Sequence, residues 1–353
     1  MKAWVIGCGL IGGSIALGLK KAGYQVYVSD CDDLKVAKAI NIGVADFKGP
    51  PPDDTNVVFI ATPVGSIVEV VKKAFKTLKG NTIVTDVGSV KAPIVNAIKE
   101  SNFVGGHPMA GSEQHGLSGT DASLFEGATW VLTPTADTDP EAYSKLYSII
   151  KEVFKAYPVA LPAEVHDELV GVVSHLPHLL AATLLNMAAR VSQEDPSLLK
   201  LAAGGFRDLT RVASGDPWIW PDIFIANQNT VNKLIENLKY ELDQFKQDII
   251  NKDSDNILKK LQVASELRRE LPSKIKVVKD LARINVFIQD RPGALADVLE
   301  IARTINVNVA DLEILHVLES SQGLLSIYVS TAEAQALCDA LKQAGYHVIS
   351  SGQ

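Results

Sequence analysis

The chain has 353 residues, more than one ordinary core holds, so two or three domains are expected. Its make-up, 47% hydrophobic and 21% charged, is that of a soluble globular protein and excludes a disordered or fibrous one. The net charge of −7, with no basic run, argues against nucleic acid or a membrane surface as partner, so an anionic substrate must be met by local positive charge.

In chain order, Ala3 to Ile6 reads as a strand and Ile11 to Ala22 as a helix. Gln25 to Val28 is a second strand and Leu34 to Ile40 a second helix. Val57 to Ile60 and Thr82 to Thr85 are further β-branched runs bounded by turn residues. Strands separated by helix-length segments imply βαβ units and a buried parallel sheet. The apolar stretch from Ala3 to Leu19 holds five glycines and follows no basic cluster, which argues against a signal peptide or membrane span. From about Pro162 the texture turns helical. Asp167 to Arg190 is apolar on nearly every face, and Asn227 to Leu261 is one long helical pattern. A helix apolar all round needs a large core or a second subunit, so a homodimer is expected. After Pro272 the pattern changes again: strand Arg283 to Gln289, helix Ala294 to Thr304, and strands Val307 to Val317 and Leu324 to Val329. Helix Ala332 to Ala344 and strand Tyr346 to Ser350 complete a βαββαβ order, the ferredoxin-like motif. The expected domains are 1–162 (α/β, Rossmann-type), 163–272 (all-helical) and 282–353 (ferredoxin-like).

Gly7-Cys8-Gly9-Leu10-Ile11-Gly12 lies between the first strand and the first helix. Gly7 serves the tight turn, Gly9 the close approach of a pyrophosphate, and Gly12 the packing of helix on strand. The phosphates would rest on free N–H groups at the helix start. Asp30 ends the second strand, where a carboxylate accepts from both ribose hydroxyls and repels a 2′-phosphate. Asp32 and Asp33 add to that repulsion, so NAD is expected rather than NADP. Thr62-Pro63 and Asp86 to Ser89 follow the later strands, at the edge where such sheets bind ligands. Three scattered cysteines give neither a disulfide framework nor a zinc site, which suits the cytoplasm. His175 and His178 stand three apart on one helix face, but no third ligand follows at suitable spacing, so no metal is expected.

Three further segments carry chemistry: Gly106-His107-Pro108-Met109-Ala110-Gly111-Ser112-Glu113, Ser174-His175-Leu176-Pro177-His178, and Gly204 to Arg211 (Gly-Gly-Phe-Arg-Asp-Leu-Thr-Arg). Asp216-Pro217-Trp218-Ile219-Trp220 follows closely. In order and spacing, over roughly residues 1–270, they resemble the prephenate dehydrogenase family. That resemblance implies NAD-dependent oxidative decarboxylation of prephenate to 4-hydroxyphenylpyruvate, a step of tyrosine biosynthesis. A base takes the C4 hydroxyl proton while hydride leaves C4 for the nicotinamide, CO2 departs from C1, and aromatisation pulls the step forward. Histidine suits the base, since its pKa lies near neutrality.

By the same resemblance His107 is the catalytic base, and Ser89 hydrogen-bonds near it and the nicotinamide. Arg211 binds a substrate carboxylate with its planar fork. His178 and Asp208 hold that arginine and the substrate, while Glu113 and Trp220 lie at the pocket edge. Pro221 departs from the polar or charged residue expected after Trp220. Residues 282–351 resemble an ACT domain through Asp290-Arg291-Pro292-Gly293-Ala294-Leu295, which implies a tyrosine effector on the turn's N–H groups or, alternatively, a ligand-free dimerisation module. Tyrosine could equally act at the catalytic pocket. Two other functions remain open: arogenate dehydrogenase, and a non-catalytic NAD-binding regulator, against which the pairing of His107 with Arg211 counts.

Overall fold

The computed structural model describes residues 1–78, 80–111, 116–194, 203–270, 281–289, 291–316, 322–346 and 348–350. Glu113, Asp290 and the stretch around Pro272 lie outside them. The chain divides into two compact units, Met1–Arg268 and Arg269–Gln353.

The first unit opens with β1 (Lys2–Ile6), α1 (Leu10–Lys21), β2 (Gln25–Ser29), α2 (Asp33–Asn41) and a short β3 (Phe47–Lys48). It continues through β4 (Val57–Ile60), α3 (Val64–Thr77), β5 (Ile83–Asp86), α4 (Ala92–Ala97) and β6 (Phe103–Pro108). β7 (Thr129–Thr133), α5 (Pro140–Glu152) and β8 (Tyr157–Ala160) complete an eight-stranded sheet in the order β3-β2-β1-β4-β5-β6-β7-β8. Every pairing is parallel except β6 with β7. β4 and β5 are buried along their whole length, as strands covered on both faces must be. On one face α1 and α5 pack Ile15, Leu19, Leu146 and Ile150 around Phe59, Phe125, Trp130 and Phe154. On the other α3 buries Ile67, Val71 and Ala74.

The helical part begins with α6 (Ala163–Val170), runs through a π turn (Gly171–His175) and continues as α7 (Leu176–Glu194). Such turns interrupt the regular ladder and recur at functional sites. By length and composition alone Ala163–Gln193 is apolar enough to cross a membrane, yet it carries the buried His166, Asp167, His175 and His178. α8 (Gly204–Thr210), a 3-10 turn (Arg211–Ser214) and α9 (Trp220–Ala226) lead to α10 (Gln228–Asn251) and α11 (Ser254–Glu270). The single pattern expected from Asn227 to Leu261 is therefore two helices. Lys252 takes the left-handed conformation (φ +56°) and ends α10, and the Asp253 carboxylate accepts from Asn256 N at 3.0 Å to start the next helix. The apolar spacing continues across the break, which is why periodicity alone does not reveal it.

The second unit runs β9 (Leu281–Gln289), α12 (Ala294–Thr304), β10 (Val309–His316), β11 (Gln322–Ser330), α13 (Thr331–Gln343) and β12 (Val348–Ser350). Its antiparallel sheet has the order β10-β11-β9-β12, with Ile284, Val286, Leu325, Ile327, Val298 and Leu337 in its core.

Candidate active site

The order β2-β1-β4-β5 places a switch point between β1 and β4, where the strands' carboxyl ends leave a crevice. Gly7 has φ +111°, and a Cβ there would lie 2.2 Å from the Ala61 carbonyl oxygen, so only glycine fits. Gly12 closes on it from the helix, its Cβ position 1.9 Å from the Gly7 oxygen. Around Gly9 nothing lies within 4 Å, which leaves this side of the turn open. The N–H groups of Leu10, Ile11 and Gly12 begin α1, whose first turn has no side-chain cap and no acidic residue.

Asp30 is half-buried, and its carboxylate accepts from Cys8 N at 2.7 Å and Asp32 N at 3.0 Å. It braces the glycine turn and still keeps lone pairs for ribose hydroxyls. Burial, aided by the Asp30 charge, pushes the Cys8 thiol up to about 12, so it stays protonated. Beside the turn, the buried Thr62 hydroxyl has no partner among the described residues. Pro63 stands at the start of α3. Open backbone at Gly9, an uncapped helix start, a ribose-type acceptor and an orphaned hydroxyl together fit a dinucleotide. Gly7, Gly9, Leu10, Ile11, Gly12, Asp30, Thr62 and Pro63 are the residues that would hold it.

Two strands away, β6 outruns β5: their register ends at Thr85↔Val104, and Gly105 to Pro108 continue against β7. Asp86 takes over where the ladder stops, accepting from Gly106 N at 3.2 Å and Gly88 N at 2.8 Å. Lys91, fully buried, pairs with Asp86 and donates to the Gly106 carbonyl at 2.7 Å. A Cβ on Gly106 would fall 2.7 Å from the Asp86 carbonyl oxygen, so glycine is needed for this close approach. The clamp fixes the residue that follows, His107, half-buried at the sheet's edge.

His107 Nδ1 lies 2.8 Å from His166 Nε2, and His166 Nδ1 lies 2.8 Å from Asp167 Oδ1. Asp167 also accepts from Lys91 N at 2.7 Å and Ala92 N at 2.8 Å, which caps α4 from the helical part. Burial holds the His107 pKa well below 6.5, and the neighbouring His166, Lys91 and His175 push it the same way. Burial lowers the Lys91 ammonium too, against the pull of Asp86 and Asp167.

Asn227 Nδ2 donates to the Asp167 backbone carbonyl at 2.9 Å and lies 3.1 Å from His175 Nδ1. The carbonyl fixes which end of the amide points there, so His175 Nδ1 accepts and Nε2 carries the proton. That Nε2–H is buried and has no partner among the described residues. Burial lowers the His175 pKa to about 4, so the ring is neutral. His178 stacks on Trp220 with centroids 3.5 Å apart at 12°, and burial lowers its pKa also. Arg211 and Asp208 are exposed, on the turn and helix that pack beside α7. Ser89 is half-buried between β5 and α4, and no hydrogen bond joins it to His107 among the described residues. A separate groove lined by Met1, Tyr24, Asn56, Thr82, Ser148 and Glu152 contains none of these side chains.

The structure thus brings together Asp86, His107, His175, His178 and Trp220 with three residues that the motifs do not include: Lys91, His166 and Asp167. Asn227 is a fourth. Little in the sequence marks His166 and Asp167, which stand between Glu164 and Glu168, so the segment looks like an ordinary charged helix face.

Residues 15–157 match the family description "Prephenate dehydrogenase, nucleotide-binding domain", and residues 162–263 match "Prephenate dehydrogenase, dimerization domain". Prephenate dehydrogenase of Bacillus subtilis is 32% identical over 334 residues, covering 91% of this chain and 90% of that one. The crystal structure of A. aeolicus prephenate dehydrogenase in complex with hydroxyphenyl propionate and NAD+ is similar with a TM-score of 0.72 and 33% identity, over 77% of this chain and 98% of that one. Synechocystis arogenate dehydrogenase has a TM-score of 0.67 and 32% identity, over 77% and 100%. On these matches the chain belongs to the prephenate dehydrogenase family.

Proposed function

We propose that the chain is an NAD-dependent prephenate dehydrogenase, converting prephenate to 4-hydroxyphenylpyruvate and CO2 in tyrosine biosynthesis. The observation that carries this is His107: a neutral imidazole, clamped at the same carboxyl edge of the sheet as a turn that fits a dinucleotide. NAD, when bound, supplies the two-electron acceptor. His107 takes the proton of the C4 hydroxyl as the C4–H bond breaks; C1 loses CO2, and the proton returns to the phenolate oxygen of the aromatic product. The lowered pKa keeps the imidazole unprotonated and so able to accept, and the dianionic substrate beside it raises its basicity.

The remaining assignments are proposals from the family resemblance and the geometry. The exposed Arg211 fork binds a substrate carboxylate, with Asp208 alongside. His178 and Trp220 form one wall of the pocket, and the family resemblance assigns Ser89 and Glu113 to the same site. The orphaned His175 Nε2–H is a donor for the bound anion. Working boundaries are 1–162 for the nucleotide-binding domain, 163–272 for the helical domain and 282–353 for an ACT domain. The ACT reading is supported by the βαββαβ order and by Gly293, at φ +87°, placing its turn at the start of α12, followed by Ala294 and Leu295. The B. subtilis match reaches well past residue 268, since it covers 91% of the chain. We read tyrosine as its effector, with Asp290, Pro292, Gly293, Ala294 and Leu295 at the site. Titrating tyrosine while 4-hydroxyphenylpyruvate saturates the catalytic pocket checks this: binding that survives places tyrosine elsewhere than that pocket. The enzyme is read as a cytoplasmic homodimer.

Steady-state kinetics on prephenate and arogenate, each with NAD and NADP, test the function. Prephenate with NAD is expected to give the highest kcat/KM. A higher value on arogenate would make this an arogenate dehydrogenase, and turnover of neither would favour a regulator. His107→Asn is expected to lower kcat by ~10²-fold or more with NAD binding intact by calorimetry.

A further inference from the structure

Asp167 decides the direction of every proton in the chain that ends at His107. Its ionised carboxylate only accepts, and it already takes N–H bonds from Lys91 and Ala92. The third contact, 2.8 Å from His166 Nδ1, therefore requires a proton on that nitrogen. With that single proton on His166, Nε2 is left as an acceptor, and His107 Nδ1, 2.8 Å away, donates to it. The lone pair of His107 is left on Nε2. The ring centroids are 5.1 Å apart, about as far as a 2.8 Å nitrogen contact allows, so the bond points along both ring planes, which are twisted by 77° to one another.

We propose that His166 and Asp167 are positioning residues that hold His107 in its Nδ1–H tautomer, keeping Nε2 as the free base. This deepens the functional reading above and rests on it for the reacting proton. The other charged or titratable groups around His107 give the arrangement its purpose. Lys91, from the start of α4, and His175, from the π turn, both disfavour positive charge on the ring, while Asp86 is already paired with Lys91. When His107 gains a proton, the only carboxylate joined to it by hydrogen bonds among the described residues is Asp167, through His166. The relay therefore does two things: it selects the tautomer before the reaction and stabilises the imidazolium during it. No proton need pass along it.

The test uses full-length protein with 15N-labelled histidine. The chain has seven histidines, few enough to assign by substitution. Long-range 1H–15N spectra of the protein without ligands at pH 7.5 are expected to show His107 protonated on Nδ1 and bare on Nε2. In His166→Leu the ring is expected to lose that single tautomer, and kcat on prephenate to fall ~10–100-fold while KM moves less than ~3-fold. The acid limb of its pH profile should also shift, as a purely structural contact would not cause. His166→Gln, whose amide oxygen still accepts from Nδ1–H, is expected to fold normally and to recover part of the loss. A wild-type spectrum with the proton on Nε2 would overturn the inference. So would a His166→Leu protein with an unchanged His107 signal and full kcat. The spectra decide the relay even if prephenate proves not to be the substrate, so the two failures are told apart.

Discussion

Compare what is buried in the sheet region with what is buried in the helical region of the first unit. Around the sheet, the interior is dominated by Val, Ile, Leu, Phe and Trp130, with Ser14 and four threonines among them and Asp86 and Lys91 as its fully buried ion pair. In residues 163–268 the buried apolar side chains among the described residues are Ala163, Val170, Ala181, Ile223 and Val231. The buried polar ones are more numerous: His166, Asp167, His175, His178, Thr210 and Asn227. Meanwhile Leu169, Val173, Met187, Trp218 and Ile225 are exposed there. The sheet region is stabilised by its own apolar core. The helical region has turned its polar side chains inward to build a site, and its apolar surface calls for a further covering partner. For a chain matched to a dimerization domain, a second copy is the natural cover.

The sharpest way to break this contrast is at the joint between the regions. Lys91→Met removes the partner of a buried carboxylate and the clamp on Gly106 together. It is expected to cost about 3–5 kcal/mol, read as a fall in urea midpoint with unchanged slope. Replacing both partners, Lys91→Met with Asp86→Leu, is expected to be milder for stability, because no charge is stranded. Equal losses in the two proteins would mean that the pair is not what holds this strand end.

The same contrast explains which parts were legible in the sequence. The glycines at positions 7, 9 and 12 follow from backbone geometry at one turn, so a local pattern reveals them. His107, His178 and Trp220 stand in motifs, and the strands and helices of the sheet region follow from short-range apolar alternation. Lys91 and Asp167 gave no such sign, because their hydrogen bond joins residues 76 apart and depends on α4 and α6 meeting. Asn227 is joined to Asp167 and His175 over similar distances along the chain. Neutral histidines look the same in sequence as exposed ones; only burial distinguishes them. The break at Lys252 was hidden for the opposite reason, since local spacing continued through it.

Acid should affect the buried site histidines first. His175 titrates near 4 in the folded protein against an ordinary 6.5, and His107 also lies well below 6.5. A depressed folded pKa means that the unfolded chain binds more protons between the two values. Stability is therefore full above about 6.5 and falls as the pH drops toward 4, by on the order of 3 kcal/mol for His175 alone. Carboxylates such as Asp248, held low by its hydrogen bond from Lys260, respond only below 3.8, in a separate window. Urea midpoints measured at half-unit steps from pH 7.5 to 4 check this. A flat profile above pH 5 would mean that the site histidines are hydrated and charged like surface ones.

The mildest effects should come from two leucines that look alike. Leu34 on α2 is 80% exposed and Leu169 on α6 is 51% exposed, so the isolated chain gives no energetic reason to treat them differently. Their neighbours differ. Leu169 lies with Val165, Val172 and Val173 at near-helical spacing, all exposed, as one apolar stripe. Leu34 lies beside Asp32 and Asp33, one of which pairs with Lys48 at 3.0 Å. A carboxylate on the stripe must be desolvated if a second copy covers it, whereas at position 34 it remains in water. Leu169→Asp is therefore expected to shift the mass by analytical ultracentrifugation toward the monomer. Leu34→Asp should leave the mass unchanged and stability within about 0.5 kcal/mol. Two variants with the same mass would leave the stripe without a partner copy, and the helical region's exposed face would then need a different cover.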